Sequence, residues 1–150
     1  MYTYKHLSSS DLGLLRELNK MFAEVFEEPG TYQGAPPSDE YLLSLLGKPH
    51  VMLLVAMDGN EVVGGLAAYE LEKFEQERTE VYIYDLGVQE RHRRQGIATR
   101  LINELRHIAK ERGAWVVFVQ ADYEDDPAIR LYESLGKREE VLHFDIAVDV

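Results

Sequence analysis

Hydrophobic and polar positions follow regular periods along most of the chain, and these periods predict six strands and four helices. Alternating or continuous apolar runs bounded by turn residues are typical of β-strands; they occupy residues 2–7, 51–57, 62–71, 80–88, 114–121 and 140–148. Apolar residues three or four positions apart are typical of helices; they follow a start signal at 8–11 as far as 25 and recur over 38–46, 96–112 and 126–135. The order β-α-α-β-β-β-α-β-α-β predicts an α/β fold with a mixed sheet.

Turn residues mark the places where the pattern breaks. Asp58 and Gly59 separate two apolar runs, which predicts a hairpin of the second and third strands. Residues 27–37 hold three prolines and two glycines and are predicted to form a loop. Asp126 before Pro127 predicts the N-cap and first position of the last helix. Because no linker or repeat interrupts the chain, we expect a single domain over residues 1–150.

Composition argues against several classes of protein. The chain has no cysteine, which excludes disulfides, thiolate metal sites and cysteine nucleophiles and fits the cytoplasm. Its five histidines form no i,i+4 pair and no HExxH motif, so we expect no metal site. The first residues lack a secretory signal, and the longest uncharged apolar run, 51–57, is too short to span a bilayer. We therefore expect a cytoplasmic protein without a membrane partner.

Charge is acidic overall but unevenly distributed. The net charge of -11 disfavours a nucleic-acid partner, because phosphate binding needs a positive field. Residues 91–112 carry seven Lys or Arg and two Glu, a net +5, which leaves -16 for the rest of the chain. The basic segment suits an anionic ligand and the acidic remainder a cationic one, although an acid excess also serves solubility alone.

The segment Arg91-His92-Arg93-Arg94-Gln95-Gly96-Ile97-Ala98-Thr99 joins a predicted buried strand to an amphipathic helix. Unpaired N–H groups and a partial positive charge at a helix start suit a phosphate group. Small residues at 96 and 98 let the backbone approach such a ligand closely. An ordinary strand-to-helix turn with solvated arginines is the alternative. The segment lacks the lysine of a Walker loop, which disfavours a nucleotide-binding regulator.

Three signatures in this chain resemble those of the GCN5-related N-acetyltransferase superfamily. Arg93-x-x-Gly96-x-Ala98 resembles its acyl-CoA motif, residues 84–88 (YDLGV) resemble its central strand, and residues 125–136 (DDPAIRLYESLG) resemble its second signature. The resemblance implies a single-domain N-acetyltransferase fold, with a mixed, mostly antiparallel sheet flanked by helices, and acetyl-CoA as co-substrate. Asp125 replaces the usual asparagine, and Lys137 replaces the usual phenylalanine after Gly136.

Five shorter strings resemble a narrower group, the aminoglycoside 3-N-acetyltransferases of the gentamicin-resistance type. These strings are 73–76 (KFEQ), 82–86 (YIYDL), 92–99 (HRRQGIAT), 120–123 (QADY) and 143–146 (HFDI). The resemblance implies acetylation of the 3-amino group of a deoxystreptamine ring, bacterial antibiotic resistance and a homodimer. The acidic body fits it, since aminoglycosides are polycations.

The same resemblance implies which residues contact acetyl-CoA. The backbone of Leu86 and Val88 is expected to pair with the pantetheine arm, with the Val88 N–H polarising the acetyl carbonyl. The remaining predicted contacts, mainly to the pyrophosphate, are Arg93, Arg94, Gln95, Gly96, Ile97, Ala98, Thr99, Asp125 and Ala128.

Acetyl transfer to an amine needs a base and an acid. Asp85 is the predicted base, because on a regular strand it would share the face of Val81 and Ile83, where a carboxylate is costly without a partner or a role. An aspartate that bonds loop amides is the alternative. Tyr132 is the predicted acid for the leaving thiolate, as the superfamily signature implies; from its helical spacing alone it would be a core residue.

Acids and tyrosines outside the basic segment are the candidates for binding the cationic substrate. Any one of the acids could instead be solvated surface. The predicted substrate contacts are Glu28, Tyr32, Tyr84, Asp85, Asp122, Glu124 and Asp145.

Two other functions compete with this prediction. The superfamily signatures are equally consistent with an N-acetyltransferase whose substrate is another cationic amine, either a polyamine or a protein amino group. A non-catalytic acyl-CoA sensor would share the fold, but the presence of both Asp85 and Tyr132 disfavours it.

Overall fold

The computed structural model describes residues 1–149 and divides the chain into two compact units, Met1–Gln120 and a second that begins at Ala121. The first unit contains β1 (Tyr2–His6), α1 (Leu12–Val25), α2 (Pro29–Gln33), α3 (Asp39–Leu46), β2 (Val51–Asp58), β3 (Glu61–Lys73), β4 (Arg78–Val88), α4 (Ile97–Glu111) and β5 (Ala114–Val119). The second contains α5 (Asp126–Leu135). The expectation of one domain over the full chain stays a prediction.

A five-stranded sheet with the order β1-β2-β3-β4-β5 forms the first unit. Its first three pairings are antiparallel and β5 joins β4 in parallel, so the predicted mixed, mostly antiparallel sheet is confirmed. The predicted hairpin joins β2 to β3, and Gly59 takes the left-handed backbone conformation of its turn.

Helices cover both faces of the sheet. On one face α1 packs Leu18 and Phe22 against a cluster that includes Leu53 and Val55. On the other face α4 packs on β2, β3 and β4 with a fully buried apolar stripe, which consists of Ile97, Leu101 and Leu105. We call the two sides of the sheet the α1 face and the α4 face, after the helix that packs on each. Each side chain near the end of β4 points towards one of these two faces.

Two sequence predictions about elements are wrong in detail. Residues 27–37 are not all loop, because Pro29–Gln33 form α2, for which a proline in the first turn is favourable. The last strand predicted at 140–148 is absent from the described residues. A period-two pattern forms a strand only when a neighbouring backbone accepts its hydrogen bonds, and within the second unit no strand lies beside it.

Within residues 1–149, no helix combines the length and the apolar composition needed to cross a membrane. The same part of the chain contains no cluster of three or more His, Cys, Asp or Glu side chains arranged to hold a metal ion.

Candidate active site

A β-bulge on β4 determines where Asp85 points. Ile83 pairs with Ala68 and Asp85 pairs with Ala67, so Tyr84 is an extra residue between the two pairs. Paired residues share a face of the sheet, and Ala67 belongs to the cluster beneath α1. Asp85 therefore lies on the α1 face, opposite Ile83, and the expectation that it shares a face with Val81 and Ile83 is wrong.

Asp85 has a neutral partner. The hydroxyl of Tyr32 on α2 donates a hydrogen bond of 2.8 Å to its Oδ1. The Tyr32 ring lies 5.8 Å from that of Phe22 and 5.7 Å from that of Phe26, and those two rings stack on each other. The aromatic packing fixes the phenol above the bulge. Two residues predicted to bind substrate, Tyr32 and Asp85, are thus in direct contact.

Burial raises the pKa of the Asp85 carboxyl above its ordinary value; the Tyr32 hydrogen bond opposes this shift, and the negative charge of Glu28 adds to it. A raised pKa makes the carboxylate a better proton acceptor than a solvated one. Among residues 1–149, no ion pair neutralises this group.

Tyrosines surround the carboxylate on the sheet. Tyr84, at the bulge, is well exposed, and its ring makes edge contacts with those of Tyr69 and Tyr82, at 6.1 and 5.6 Å. Burial, followed by the charge of Asp85, raises the pKa of Tyr69. Tyr69 is not among the site residues predicted from the sequence, although counting outward from the turn after Lys73 places it opposite Tyr82.

The end of β4 offers free backbone groups to a ligand. Pairing with β5 stops at Ile83, whereas β4 continues to Val88. The Gln89 N–H donates to the Val63 carbonyl of β3, and backbone groups alternate direction along a strand, so Leu86 and Val88 direct theirs away from β3. Arg93 Nε donates to the Val88 carbonyl at 3.1 Å, which ties the loop to this edge.

The start of α4 has the geometry of an anion site. Arg94 and Gly96 both have left-handed backbone angles, with φ of 63° and 78°, and Gly96 caps the helix without any side-chain hydrogen bond. A Cβ at Gly96 would meet no atom within 4 Å, so space is open there. Unpaired N–H groups at such a turn and helix start favour a phosphate. The chain thus fits acetyl-CoA at this point, and the predicted contacts of this segment with the pyrophosphate, from Arg93 to Thr99, stay a prediction.

The other side chains of the basic segment are partly occupied within the first unit. Tyr2 donates a hydrogen bond to Gln95 Oε1 at 2.9 Å and contacts His92 Nδ1, and Arg91 forms an ion pair with Glu61. A cleft of about 760 Å³ lies next to this segment and the end of α1; its lining residues are Glu24, Val25, Glu27, Gln89, Glu90, Arg91 and Arg93.

In the second unit, Asp125 rather than Asp126 caps α5, because its Oδ1 accepts a hydrogen bond from the Ala128 N–H at 3.2 Å. Burial, aided by the Asp125 charge, raises the pKa of Tyr132 to about 12, so its phenol keeps its proton at neutral pH. Asp145 bonds His143 at 2.8 Å, and Asp122 and Glu124 are exposed. The roles predicted for these residues stay predictions.

Comparison with known families decides the class of the protein. Residues 15–137 match the family model described as "Acetyltransferase (GNAT) family". The chain belongs to the GNAT acetyltransferase family. Its predicted fold class and superfamily are therefore confirmed, and it is a transferase.

Solved acetyltransferase structures resemble it over nearly its full length. The aminoglycoside acetyltransferase HMB0005, from an uncultured soil metagenomic sample, is 51% identical with a TM-score of 0.97, and the match covers 99% of each chain. The aminoglycoside acetyltransferase meta-AAC0020, also from uncultured soil, was solved in complex with sisomicin; it is 35% identical with a TM-score of 0.90, and the match covers 99% of this chain and 97% of that one.

A curated relative matches a shorter part. N-acetyltransferase 8F1 of Rattus norvegicus is 31% identical over 87 residues, which are 58% of this chain. The matched part spans only 39% of that relative's length.

Proposed function

We propose that this GNAT acetyltransferase transfers the acetyl group of acetyl-CoA to the 3-amino group of an aminoglycoside and thereby confers antibiotic resistance. The observation that carries the proposal is the Asp85 carboxylate, which is half-buried, hydrogen-bonded by a neutral phenol and free of any cation among the described side chains. Such a carboxylate is ready to hold an ammonium group. Likeness to two aminoglycoside acetyltransferases supports the substrate class.

The choice of the 3-amino group rests on different support. Charge attraction by the acidic body would admit any polycation, so it gives no preference among the amines of a deoxystreptamine ring. The five strings that resemble the 3-N-acetylating group are what favour this position.

In the proposed reaction, the protonated amine first binds to Asp85 and loses a proton to it, directly or through water. The free amine attacks the thioester carbonyl in a ternary complex, so a C–N bond forms and the C–S bond breaks. The Val88 N–H stabilises the negative charge on the carbonyl oxygen, and Tyr132 gives its proton to the leaving thiolate. As the amide forms, the nitrogen loses its second proton, and solvent carries a proton back to the Tyr132 phenolate; Asp85 releases the first proton to water.

Acetyl-CoA would supply the activated acetyl group in this reaction. Backbone groups of Leu86 and Val88 would hold its pantetheine arm, and the N–H groups of residues 94–99 would hold its pyrophosphate. An acyl-enzyme on cysteine is excluded because the chain has none.

An acetyltransferase of polyamines is the second candidate, since the same acidic body would attract spermidine. A panel assay with acetyl-CoA distinguishes the two: gentamicin, sisomicin, spermidine and a lysine peptide are compared at two salt concentrations, and mass spectrometry locates the new acetyl group. We expect 3-N-acetylation of an aminoglycoside, with KM rising with salt as ion pairs are screened. Acetylation at another amine would contradict the regiochemistry, and faster turnover of spermidine would favour the polyamine. Tight acetyl-CoA binding without any turnover would favour the sensor.

A further inference from the structure

Tyr32 lies in an unusual setting for a residue that was predicted to touch substrate. Its ring is packed against Phe22, which is fully buried in α1, and against Phe26. Phe26 in turn lies against the backbone of Gly87, where a Cβ would meet its ring at 3.1 Å. The phenol is therefore fixed by the core beneath α1 rather than extended towards a ligand.

The hydroxyl is committed to one oxygen of one side chain. It donates to Asp85 Oδ1, and within residues 1–149 no other side-chain hydrogen bond to this carboxylate is present. A carboxylate held through Oδ1 loses rotational freedom, and its Oδ2 keeps lone pairs for another donor. The arrangement divides the two oxygens between the protein and a ligand.

We propose that Tyr32 is a positioning residue for the acetyl-transfer reaction: its phenol holds Asp85 Oδ1, so that Oδ2 is presented to the substrate's ammonium group. This inference rests on the proposed function and replaces direct substrate contact as the role of Tyr32.

A phenol suits this task better than a lysine or arginine would. A cationic partner would neutralise Asp85 and compete with the cationic substrate, whereas a neutral donor orients the carboxylate and leaves its charge available. Burial and the neighbouring Asp85 raise the pKa of Tyr32 far above its ordinary value, so it stays neutral over the working pH range. The other titratable groups around the carboxylate are Glu28, Tyr69, Tyr82 and Tyr84.

Tyr32→Phe keeps the ring and removes only the hydrogen bond. Because that bond lowers the pKa of Asp85, its loss lets burial and Glu28 raise this pKa further. The acidic limb of kcat/KM against pH should therefore move to higher pH. Above this limb kcat/KM should stay about tenfold below that of the parent, the size of one hydrogen bond to a charged group, because the ionised carboxylate is no longer oriented.

Tyr4→Phe is the matched control. Tyr4 is also a half-buried tyrosine on the sheet, but it lies on β1 beside Arg100, and its hydroxyl contacts no carboxylate among the described residues. This variant should reproduce the parent's pH profile. Acetyl-CoA affinity should be unchanged in both variants.

Two outcomes would overturn the inference. The first is a Tyr32→Phe enzyme with an unmoved acidic limb and a raised KM for the aminoglycoside, which would place Tyr32 on the substrate itself. The second is an Asp85 pKa that is the same in the parent and in Tyr32→Phe. This pKa is measured by carbon NMR of the labelled carboxyl group during a pH titration, and Asp85→Asn assigns the signal. The titration needs no substrate, so it decides the role of Tyr32 even if no aminoglycoside is acetylated.

Discussion

Two carboxylates on neighbouring strands, Glu70 of β3 and Asp85 of β4, are held in opposite ways. Glu70 is buried on the α4 face, where its Oε1 accepts from Arg112 Nε at 2.7 Å and its Oε2 accepts from Thr79 at 2.8 Å. Asp85 is half-buried on the α1 face and accepts from the neutral Tyr32 phenol. Within the described part of the chain, one negative charge is thus paired internally and the other has no cationic partner.

The difference separates structural charge from functional charge. A buried acid with its own guanidinium partner has nothing left to bind and ties the last turn of α4 to the sheet. An acid with a phenol partner keeps its charge for a ligand. The two ends of α4 show the same contrast, since its C-terminal end is occupied by the Glu70 pair while the backbone at its start, around Gly96, is open.

The largest effect on stability is expected from Arg112→Met. Removing the guanidinium leaves Glu70 as an unpaired buried charge, which should lower the free energy of unfolding by about 3 kcal/mol, near the lower end for broken buried pairs because Arg112 is partly exposed. Urea unfolding at neutral pH measures it. Residual turnover per folded molecule should stay near that of the parent. A loss below about 1 kcal/mol, which is typical of exposed ion pairs, would mean that the Glu70 pair is not structural.

The two glycines at the ends of α4 give a matched pair for the second test. Gly96 and Gly113 both have left-handed backbone angles, with φ of 78° and 84°, and both have open space where a Cβ would be. Valine at either position should cost about 1–2 kcal/mol of stability through backbone strain. Gly96→Val should in addition weaken acetyl-CoA binding about tenfold or more, since a side chain would obstruct the amides of the helix start.

Calorimetric titration of both variants with acetyl-CoA checks this prediction. Gly113→Val should bind like the parent. If the parent, Gly96→Val and Gly113→Val bind acetyl-CoA with equal affinity, the pyrophosphate does not bind at the start of α4.

The smallest effect concerns pH and stability. Because burial raises the pKa of Asp85, the native state binds more protons than the unfolded state between the ordinary value of about 3.9 and the folded value. This contribution to stability is therefore lost as pH rises through that window. Asp85→Asn, which can still accept the Tyr32 hydrogen bond, should unfold at higher urea than the parent at pH 7, with the difference shrinking towards acid pH. A destabilised variant at pH 7 would make Asp85 a structural acid like Glu70.

Sequence patterns could predict the strands of the first unit and its helices α1, α3 and α4, most of which place apolar residues on one face with the correct period; the short α2 buries no residue and gave no such pattern. They placed α4 and the hairpin at Gly59 correctly for the same reason. These patterns could not predict which face of the sheet Asp85 lies on. Regular pairing from the turn after Lys73 would set Asp85 opposite Leu66 on the α4 face, and only the extra residue Tyr84 moves it opposite Ala67.

The candidate site shows the same limit. Asp85 and Tyr32 could both be proposed from residue type and resemblance, but their hydrogen bond joins positions 53 residues apart and depends on how α2 packs. Residues 140–148 alternate between apolar and polar positions as a strand does, but they form no strand. A strand needs a neighbouring strand to pair with, and a local sequence pattern does not show whether one is present.

Steady-state turnover of Asp85→Asn beside Glu70→Gln tests the central claim most directly. Both changes replace a carboxylate by its near-isosteric amide on adjacent strands. The account predicts that Asp85→Asn keeps its acetyl-CoA affinity but loses about 100-fold or more in turnover of the aminoglycoside, the scale of a positioned proton transfer, while Glu70→Gln stays within a few-fold of the parent wherever it is folded. Activity of Asp85→Asn within a few-fold of the parent would contradict the account and move the base elsewhere, with Asp122 or Asp145 next to be tested.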